Sequence, residues 1–246
     1  MAPTIVLVSG ANRGLGKGFI ELYLAKPNYT VIAANRDPTH PTSKALFDLP
    51  KGVGSKLIIV KTDASVATSA QDAVNKLVAN EEIKHLDIVI ANAGVSYIWP
   101  KVSELKIEDL EGHMAPNVYG TVWLFQATLP LLLKSADPKW ITIGSTAGCI
   151  QNQLPITNAA YATSKIAVHW LTKKMNHEEE KLTAFVISPG WCQTDLGNTG
   201  ARAFGMEQAP VTVEESCGNM VPLIEGATKE THGGRLIDYQ GDELAW

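Results

Sequence analysis

Residues 4–16, TIVLVSGANRGLG, join a β-branched apolar run to a glycine-rich turn. The run predicts a buried strand, and the apolar residues after Gly16 recur at helical spacing. Glycines at a strand-to-helix turn let backbone N–H groups and the helix dipole meet a phosphate. The spacing of Gly10, Gly14 and Gly16 is G-x-x-x-G-x-G and not the G-x-G-x-x-G fingerprint, so a simple tight turn is the alternative. The position of the turn, after the first strand and before the first helix, favours pyrophosphate binding.

Similar apolar runs recur along the chain with helical stretches between them. Each run is apolar throughout, which is typical of parallel strands that are covered on both faces. The pattern predicts an α/β fold: a doubly wound, parallel, seven-stranded sheet with helices on both faces, the Rossmann fold. The predicted strands are residues 4–8, 30–34, 56–60, 87–91, 140–143, 183–187 and 234–237. The predicted helices are residues 14–26, 67–79, 104–134, 159–179 and 212–226.

The chain has 246 residues, of which 45% are hydrophobic, enough for one large core. No linker or repeat divides it, so we expect a single domain over residues 1–246. Residues 37–54 and 196–211 are the least regular and are predicted to be surface loops.

The composition argues against several classes of protein. With 21 basic and 25 acidic residues, the net charge of −4 disfavours nucleic-acid binding. The apolar runs are too short to span a membrane, and the amino terminus lacks a basic residue before its apolar run. We therefore expect a cytoplasmic protein with three reduced cysteines. The six histidines are scattered, so no metal site is expected.

Two arginines point to the cofactor. Arg36 lies at the end of the second predicted strand, where an enzyme of the NAD type would carry a carboxylate for the ribose 2′-hydroxyl. A guanidinium there suits a 2′-phosphate, and Arg13 in the glycine turn could reach the same phosphate. The pair favours NADP(H). Two solvated surface arginines are the alternative, and the neighbouring Asp37 leaves NAD(H) open.

Four polar residues form a candidate catalytic set. Tyr161 and Lys165 are four residues apart in a predicted helix, so phenol and ammonium share one face. We expect the cation, with an oxidised nicotinamide, to lower the pKa of the phenol. Ser145 follows a predicted strand, and Asn117 lies on the preceding helix. The alternative for Tyr161 and Lys165 is a surface side-chain pair of little energetic weight, and the alternative for Asn117 is a helix-interior amide that bonds nearby backbone.

These residues together resemble the short-chain dehydrogenase/reductase family along essentially the whole chain. That family carries, in this order, T-G-x-x-x-G-x-G, N-N-A-G, a catalytic Asn, a Ser and Y-x-x-x-K. This chain has SGANRGLG, ANAG at 91–94, Asn117, Ser145 and Tyr161 with Lys165, so Ser9 and Ala91 depart from the pattern. The resemblance implies that Asp63 meets the adenine ring, and that Thr194 and the Cys192 backbone hold the nicotinamide amide. The cofactor-binding residues it implies, with those above, are Gly10, Asn12, Arg13, Gly14, Leu15, Gly16, Arg36, Asp63, Asn92, Ala93, Gly94, Tyr161, Lys165, Pro189, Gly190, Cys192 and Thr194.

A narrower likeness, carried by PGW at 189–191 and RLIDYQGDELAW at 235–246, is to carbonyl reductases of the sniffer and C-factor type and to fungal norsolorinic acid ketoreductases. It implies reduction of a ketone on a bulky, aromatic, polyketide-like substrate. Tyr97, Trp99 and Trp191 are compatible with ring stacking, although aromatic residues in a crevice are more often packing residues.

We therefore expect an NADPH-dependent reductase of ketones or aldehydes, with a small-molecule carbonyl compound as substrate. In this hypothesis Ser145 holds the carbonyl, Tyr161 donates a proton, Lys165 tunes the phenol and binds the ribose, and Asn117 holds a water. A non-catalytic NADP(H)-binding sensor or scaffold is the alternative. Serine hydrolysis is disfavoured, because Thr146 occupies the centre of GSTAG. The family's usual interface implies a homodimer or homotetramer.

Overall fold

A computed structural model describes residues 2–246, so the predicted domain boundary at residue 1 lies outside the described chain. All strands belong to one sheet in the order β3-β2-β1-β4-β5-β6-β7-β8. The strands are β1 Thr4–Ser9, β2 Tyr29–Asn35, β3 Lys56–Lys61, β4 Ile88–Ala91, β5 Lys139–Ile143, β6 Thr183–Ser188, β7 Leu236–Asp238 and β8 Glu243–Leu244.

The seven predicted strands are present and pair in parallel, which confirms the doubly wound α/β fold. The strand count was wrong by one, because β8 pairs with β7 in antiparallel register. This strand has two residues, too few for a hydrophobic pattern to show.

Helices connect the strands and cover both faces of the sheet. Their bounds are α1 Gly14–Leu24, α2 Pro41–Lys44, α3 Ser69–Asn80, α4 Ile107–Met114, α5 Gly120–Leu132, α6 Ala159–Glu178, α7 Asp195–Ala203 and α8 Val213–Gly226. On one face α1 and α8 bury Phe19, Tyr23 and Met220, and on the other face α3 and α5 bury Leu77 and Leu131. Burial on both faces explains why the strands are apolar throughout.

Three predicted segments need correction. The single helix expected over 104–134 is two helices joined by a π-helical turn, Ala115–Tyr119, where Pro116 has no N–H for a regular helix. The predicted loop 37–54 contains α2 and a 3₁₀ turn, Ala45–Asp48. The predicted loop 196–211 contains most of α7. The sequence did not predict this helix, because its glycines have a low helix propensity.

The strand order reverses between β1 and β4, which are neighbours in the sheet. Connections leave these two strands toward β2 on one side and β5 on the other. Crevices at the carboxyl ends of strands on either side of such a point are the usual ligand sites of open α/β sheets. Within residues 2–246, no helix has both the length and the apolar character that crossing a bilayer requires.

Candidate active site

The glycine turn lies at this switch point and is packed too closely for side chains. Gly10 and Gly14 have φ of +63° and +52°, a region that favours glycine. A Cβ on Gly10 would lie 2.9 Å from the Cα of Ala93. A Cβ on Gly16 would collide with the Gly10 carbonyl oxygen and would lie 2.7 Å from Asn92 Nδ2. Only glycines at these positions let the backbone form this cradle.

Polar side chains hold the turn against β4. Asn92 Nδ2 donates to the carbonyl oxygens of Ser9 and Gly10, at 2.9 and 3.1 Å. The Ser9 hydroxyl accepts the N–H groups of Asn92 and Ala93, both at 3.0 Å. Ser9, which departs from the family's Thr, therefore still ties β1 to the turn after β4.

Asn35 is a residue that our sequence analysis missed. Its side chain is fully buried at the end of β2, and Oδ1 accepts the Ala11 N–H at 2.9 Å. Its Nδ2 donates to the Ser43 hydroxyl at 3.2 Å. The signal was available, because a lone amide ends the otherwise apolar run TVIAA. Asn35 thus fixes the middle of the glycine turn to its neighbouring strand.

The two arginines differ in their surroundings. Arg13 Nη1 lies 3.6 Å from the Asp195 carboxylate, in a pair whose side chains are 70% and 83% exposed. Arg36 is exposed and has no ion pair within residues 2–246. The Asp37 carboxylate accepts the Thr39 N–H and hydroxyl at 2.8 and 2.7 Å, and these bonds lower the pKa of Asp37. The Asp37 carboxylate is thus held within its own turn by Thr39. Arg36, at the end of β2, therefore does not pair with its neighbouring carboxylate.

Asp63 and its neighbours line a cleft beyond β3 and β4. The cleft is also lined by Thr62, Val66 and Ala93. Asp63 Oδ1 accepts the Ser65 N–H at 2.9 Å, which orders the loop. The buried Thr62 hydroxyl has no hydrogen-bond partner among the described residues. These features together fit a phosphorylated dinucleotide: a glycine cradle, a cleft with an unpaired hydroxyl, and exposed guanidinium groups.

Tyr161, Lys165 and Ser145 meet at the carboxyl end of β5. Ser145 is the first non-glycine residue after β5, and Tyr161 and Lys165 lie on successive turns of α6. The Lys165 ammonium lies 5.6 Å from the centroid of the Tyr161 ring and donates to the Ile143 carbonyl at 2.7 Å. An interaction with the Ser145 side chain acts to lower the pKa of the Tyr161 phenol.

The pKa of Tyr161 reflects how deeply the phenol is buried. Burial outweighs the Ser145 hydrogen bond and raises the pKa of the phenol to about 12 in the protein alone. Burial also lowers the pKa of Lys165 to about 8. In the protein alone desolvation of the phenolate dominates, and the lowering of the phenol pKa by Lys165 together with an oxidised nicotinamide stays a prediction. Tyr161 is a protonated acid at neutral pH.

Asn117 lies in the π-helical turn and is buried. Its Oδ1 accepts the Val95 N–H at 2.7 Å, and its Nδ2 donates to the Val95 carbonyl and the Ser164 hydroxyl at 3.0 and 2.9 Å. Ser164 in turn donates to the Tyr161 carbonyl at 2.7 Å. The side chain thus links the loop after β4 to α6, the helix that carries Tyr161 and Lys165. The water expected at Asn117 stays a prediction, and the main-chain carbonyl of Asn117 accepts the Thr121 hydroxyl at 2.8 Å.

Gly94 lies between the glycine turn and Asn117. A Cβ there would lie 3.1 Å from Asn117 Oδ1.

The structure also shows the contacts of two further residues of the glycine turn, Asn12 and Leu15. Asn12 Nδ2 donates to the Thr42 hydroxyl at 2.6 Å, and the Leu15 carbonyl receives the Cys217 thiol at 3.5 Å. The predicted turn residues and Asn117 therefore lie along one crevice.

The loop after β6 closes the other side of the crevice. Gly190 has φ of +77°, and the buried Cys192 thiol donates to the Pro189 carbonyl at 3.0 Å. The Thr194 hydroxyl accepts the Gly197 N–H at 3.0 Å and so caps α7. Its methyl group lies 3.0 Å from where a Cβ on Gly14 would be. This loop therefore borders the glycine turn.

Aromatic side chains surround the mouth of the site. Tyr97 stacks on His113 with ring centroids 4.2 Å apart, and the His113 ring lies 6.4 Å from that of Tyr161. Phe204, at the end of α7, meets Trp99 and Trp191 edge-on at 6.0 and 6.2 Å. Sequence analysis missed His113 and Phe204, because no pattern marks which aromatic residues of separate loops converge. Within residues 2–246, no group of three His, Cys, Asp or Glu side chains could hold a metal.

Comparisons with known proteins agree with this arrangement. The chain is 40% identical to norsolorinic acid ketoreductase nor1 of Dothistroma septosporum, over 99% of this chain and 92% of that protein. It is 39% identical to norsolorinic acid ketoreductase of Aspergillus parasiticus, over 99% and 91%. An NADPH-bound carbonyl reductase from chicken fatty liver has 28% identity and a TM-score of 0.86 over the whole of both chains.

The model of the short chain dehydrogenase family matches residues 4–203, a stretch that includes the glycine turn, Asn117, Ser145, Tyr161 and Lys165. The expected family resemblance is thus confirmed, on the sequence and on the fold. The chain belongs to the short chain dehydrogenase family.

Proposed function

We propose that this protein is an NADPH-dependent reductase of ketone or aldehyde carbonyls, with a bulky aromatic substrate. The observation that carries the proposal is the juxtaposition of Ser145, Tyr161 and Lys165 beside the glycine cradle. The ketoreductase and carbonyl reductase relatives support the same chemistry.

NADPH, when bound, supplies the hydride. The protein's own groups handle the carbonyl oxygen. The Ser145 Oγ accepts the Ala147 N–H at 3.1 Å, which leaves the hydroxyl proton free to bond that oxygen. Tyr161, protonated at neutral pH, donates its phenolic proton to the developing alkoxide. The buried Lys165 ammonium lies beside the phenol and stabilises the tyrosinate that results.

The arginines support NADP(H) over NAD(H). Arg36 has no carboxylate partner among the described residues, and Asp37 is bonded within its own turn. Arg13 lies on the glycine turn and forms an exposed ion pair with Asp195. Two guanidiniums at this edge suit the dianionic 2′-phosphate. Glycines 10, 14 and 16, with Asn92, would hold the pyrophosphate.

The aromatic mouth supports the substrate class. Trp99, Trp191 and Phe204 join the loop after β4 to α7, and Tyr97 stays half exposed above His113. Flat aromatic walls near the proton-donating phenol of Tyr161 favour a fused-ring ketone over a small aliphatic one. The norsolorinic acid ketoreductase relatives agree with this class.

The test is Tyr161→Phe, with Tyr119→Phe as a matched control. Tyr119 is 47% exposed, so its change removes a phenol hydroxyl outside the site. We expect Tyr161→Phe to lower kcat for NADPH-dependent ketone reduction about a thousandfold while NADPH binding by fluorescence is unchanged. Tyr119→Phe should match the wild type. Tight NADPH binding without turnover on a broad panel of aliphatic, aromatic and polyketide-like carbonyls would instead favour the sensor or scaffold alternative.

We also propose a homodimer or homotetramer. Ile107 on α4 and Trp170 on α6 are 61% and 63% exposed, a large apolar area on the two helices of the family's usual interface. Light scattering after gel filtration would show a mass of two or four chains. A cytoplasmic location stays a prediction from the sequence.

A further inference from the structure

His169 is a buried histidine beneath the catalytic serine, and the mechanism above does not use it. It lies on α6, four residues after Lys165, and is 2% exposed. Its Nε2 accepts the N–H of Ser145 at 3.3 Å. The last hydrogen bond between this end of β5 and β6 is donated by the Gly144 N–H to the Ile187 carbonyl. Ser145 comes next in the chain, so its N–H needs a partner outside the sheet.

The turn that carries Ser145 is built around this imidazole. A Cβ on Gly144 would lie 2.5 Å from His169 Nε2, and a Cβ on Gly148 would lie 2.7 Å from His169 Cε1. The ring of Trp246 packs edge-on against the other side, at 5.9 Å. The turn and the histidine therefore fit each other, with no room for a larger side chain at either glycine.

The imidazole is held neutral. Burial and the Lys165 charge lower the pKa of His169 to about 3. Since Nε2 accepts a hydrogen bond, the ring proton lies on Nδ1, on the side of the Gly148 main chain. The Lys165 ammonium is the charged group that faces the ring from α6 itself. A neutral ring keeps its acceptor available at every working pH.

We propose that His169 is a positioning residue of the reductase: by accepting the Ser145 N–H, it fixes the direction of the serine hydroxyl toward the substrate oxygen. This inference rests on the proposed function. Two bonds then define the serine, one from its N–H to His169 and one from the Ala147 N–H to its Oγ. Without the His169 acceptor, the Ser145 N–H loses its hydrogen bond, and the turn that carries Ser145 can shift away from Tyr161.

The test compares His169→Gln with His169→Met. A glutamine Oε1 reaches the place of Nε2 and restores an acceptor, whereas methionine has similar length without a strong one. We expect His169→Met to lower kcat about tenfold, with unchanged NADPH binding by fluorescence, and His169→Gln to stay within about threefold of wild type. If His169→Met does not fold, His169→Asn replaces it, because its amide ends near the Nδ1 position. Full kcat in the variant without the acceptor, or no rescue by glutamine, would overturn the proposal.

A double-mutant cycle with Ser145→Ala separates positioning from general destabilisation. If His169 acts through the serine, His169→Met should cost less than about twofold in the Ser145→Ala background. An equal loss in both backgrounds would show a merely structural role and overturn the proposal. Nitrogen NMR of the wild type should show the neutral Nδ1–H tautomer, and the opposite tautomer would contradict the geometry. A wild-type enzyme inert toward all carbonyls would defeat the proposed function, whereas an active one with normal His169 variants would defeat only this inference.

Discussion

Gly16→Ala tests the closest approach in the nucleotide cradle. The added methyl would collide with the Gly10 carbonyl oxygen and would meet Asn92 Nδ2 at 2.7 Å and Ala11 Cα at 2.9 Å. Relief requires Asn92 to move, which breaks its bonds to the Ser9 and Gly10 carbonyls. Two lost hydrogen bonds cost about 2 kcal/mol, and overpacking adds about 1–3 kcal/mol.

The higher helix propensity of alanine offsets about 1 kcal/mol of this cost, which leaves a net loss of about 2–4 kcal/mol. For a domain of this size we expect the melting temperature to fall by roughly 6–12 °C. Gly218→Ala is the matched control, because no atom lies within 4 Å of its would-be Cβ in the exposed middle of α8. It should raise stability by about 0.5–1 kcal/mol.

Thermal and urea unfolding, with and without NADPH, measure both variants. We expect Gly16→Ala to lose most of the NADPH-induced stabilisation as well, since the cradle must open to admit the methyl. The reasoning fails if Gly16→Ala melts like the wild type and binds NADPH normally. It also fails if the two glycine variants shift stability in the same direction by similar amounts.

Three further changes probe other parts of the molecule. Arg36→Ala should weaken NADPH binding about 30-fold and leave NADH binding unchanged, because one guanidinium contact to the 2′-phosphate is lost. Lys56→Ala, at the amino end of the neighbouring strand β3, should alter neither, and an equal loss for both cofactors would contradict the assignment. The kcat/KM for ketone reduction should fall as pH rises through about 8, where Lys165 loses its charge while Tyr161 keeps its proton; a flat profile up to roughly pH 10 would reject this. Lys229→Met should cost about 2 kcal/mol in urea unfolding, since its ammonium donates to three main-chain oxygens at and just after the end of α6, and a loss below about 0.5 kcal/mol would show those bonds to be unimportant.

Much of the fold was predictable because the sheet is buried on both faces. Each parallel strand had to be apolar throughout, so its run stood out from the sequence. The parts that escaped depend on tertiary contacts. Helix α7 forms from a glycine-rich segment because Thr194 caps it and Trp191 donates to the Gly197 carbonyl at 2.9 Å. No local propensity carries that information.

The candidate site shows the same division. The spacing of Tyr161 and Lys165 on one helix predicted their proximity correctly, since helical geometry is local. The direction of the Tyr161 pKa shift was not predictable, because it depends on how deeply the phenol is buried. Asn35 and His169 act on the site from neighbouring elements, so only the assembled fold shows what they touch.

The π-helical turn Ala115–Tyr119 makes the length of this segment more important than its composition. Before it, α4 packs against α6, and after it, α5 packs against α3, with Gly120 pressed on the Ala64 carbonyl. Each helical residue advances the chain by about 100°, so deleting one residue here would swing Gly120 and all later positions away from their contacts. Related chains should therefore carry substitutions in this turn, but no insertions or deletions.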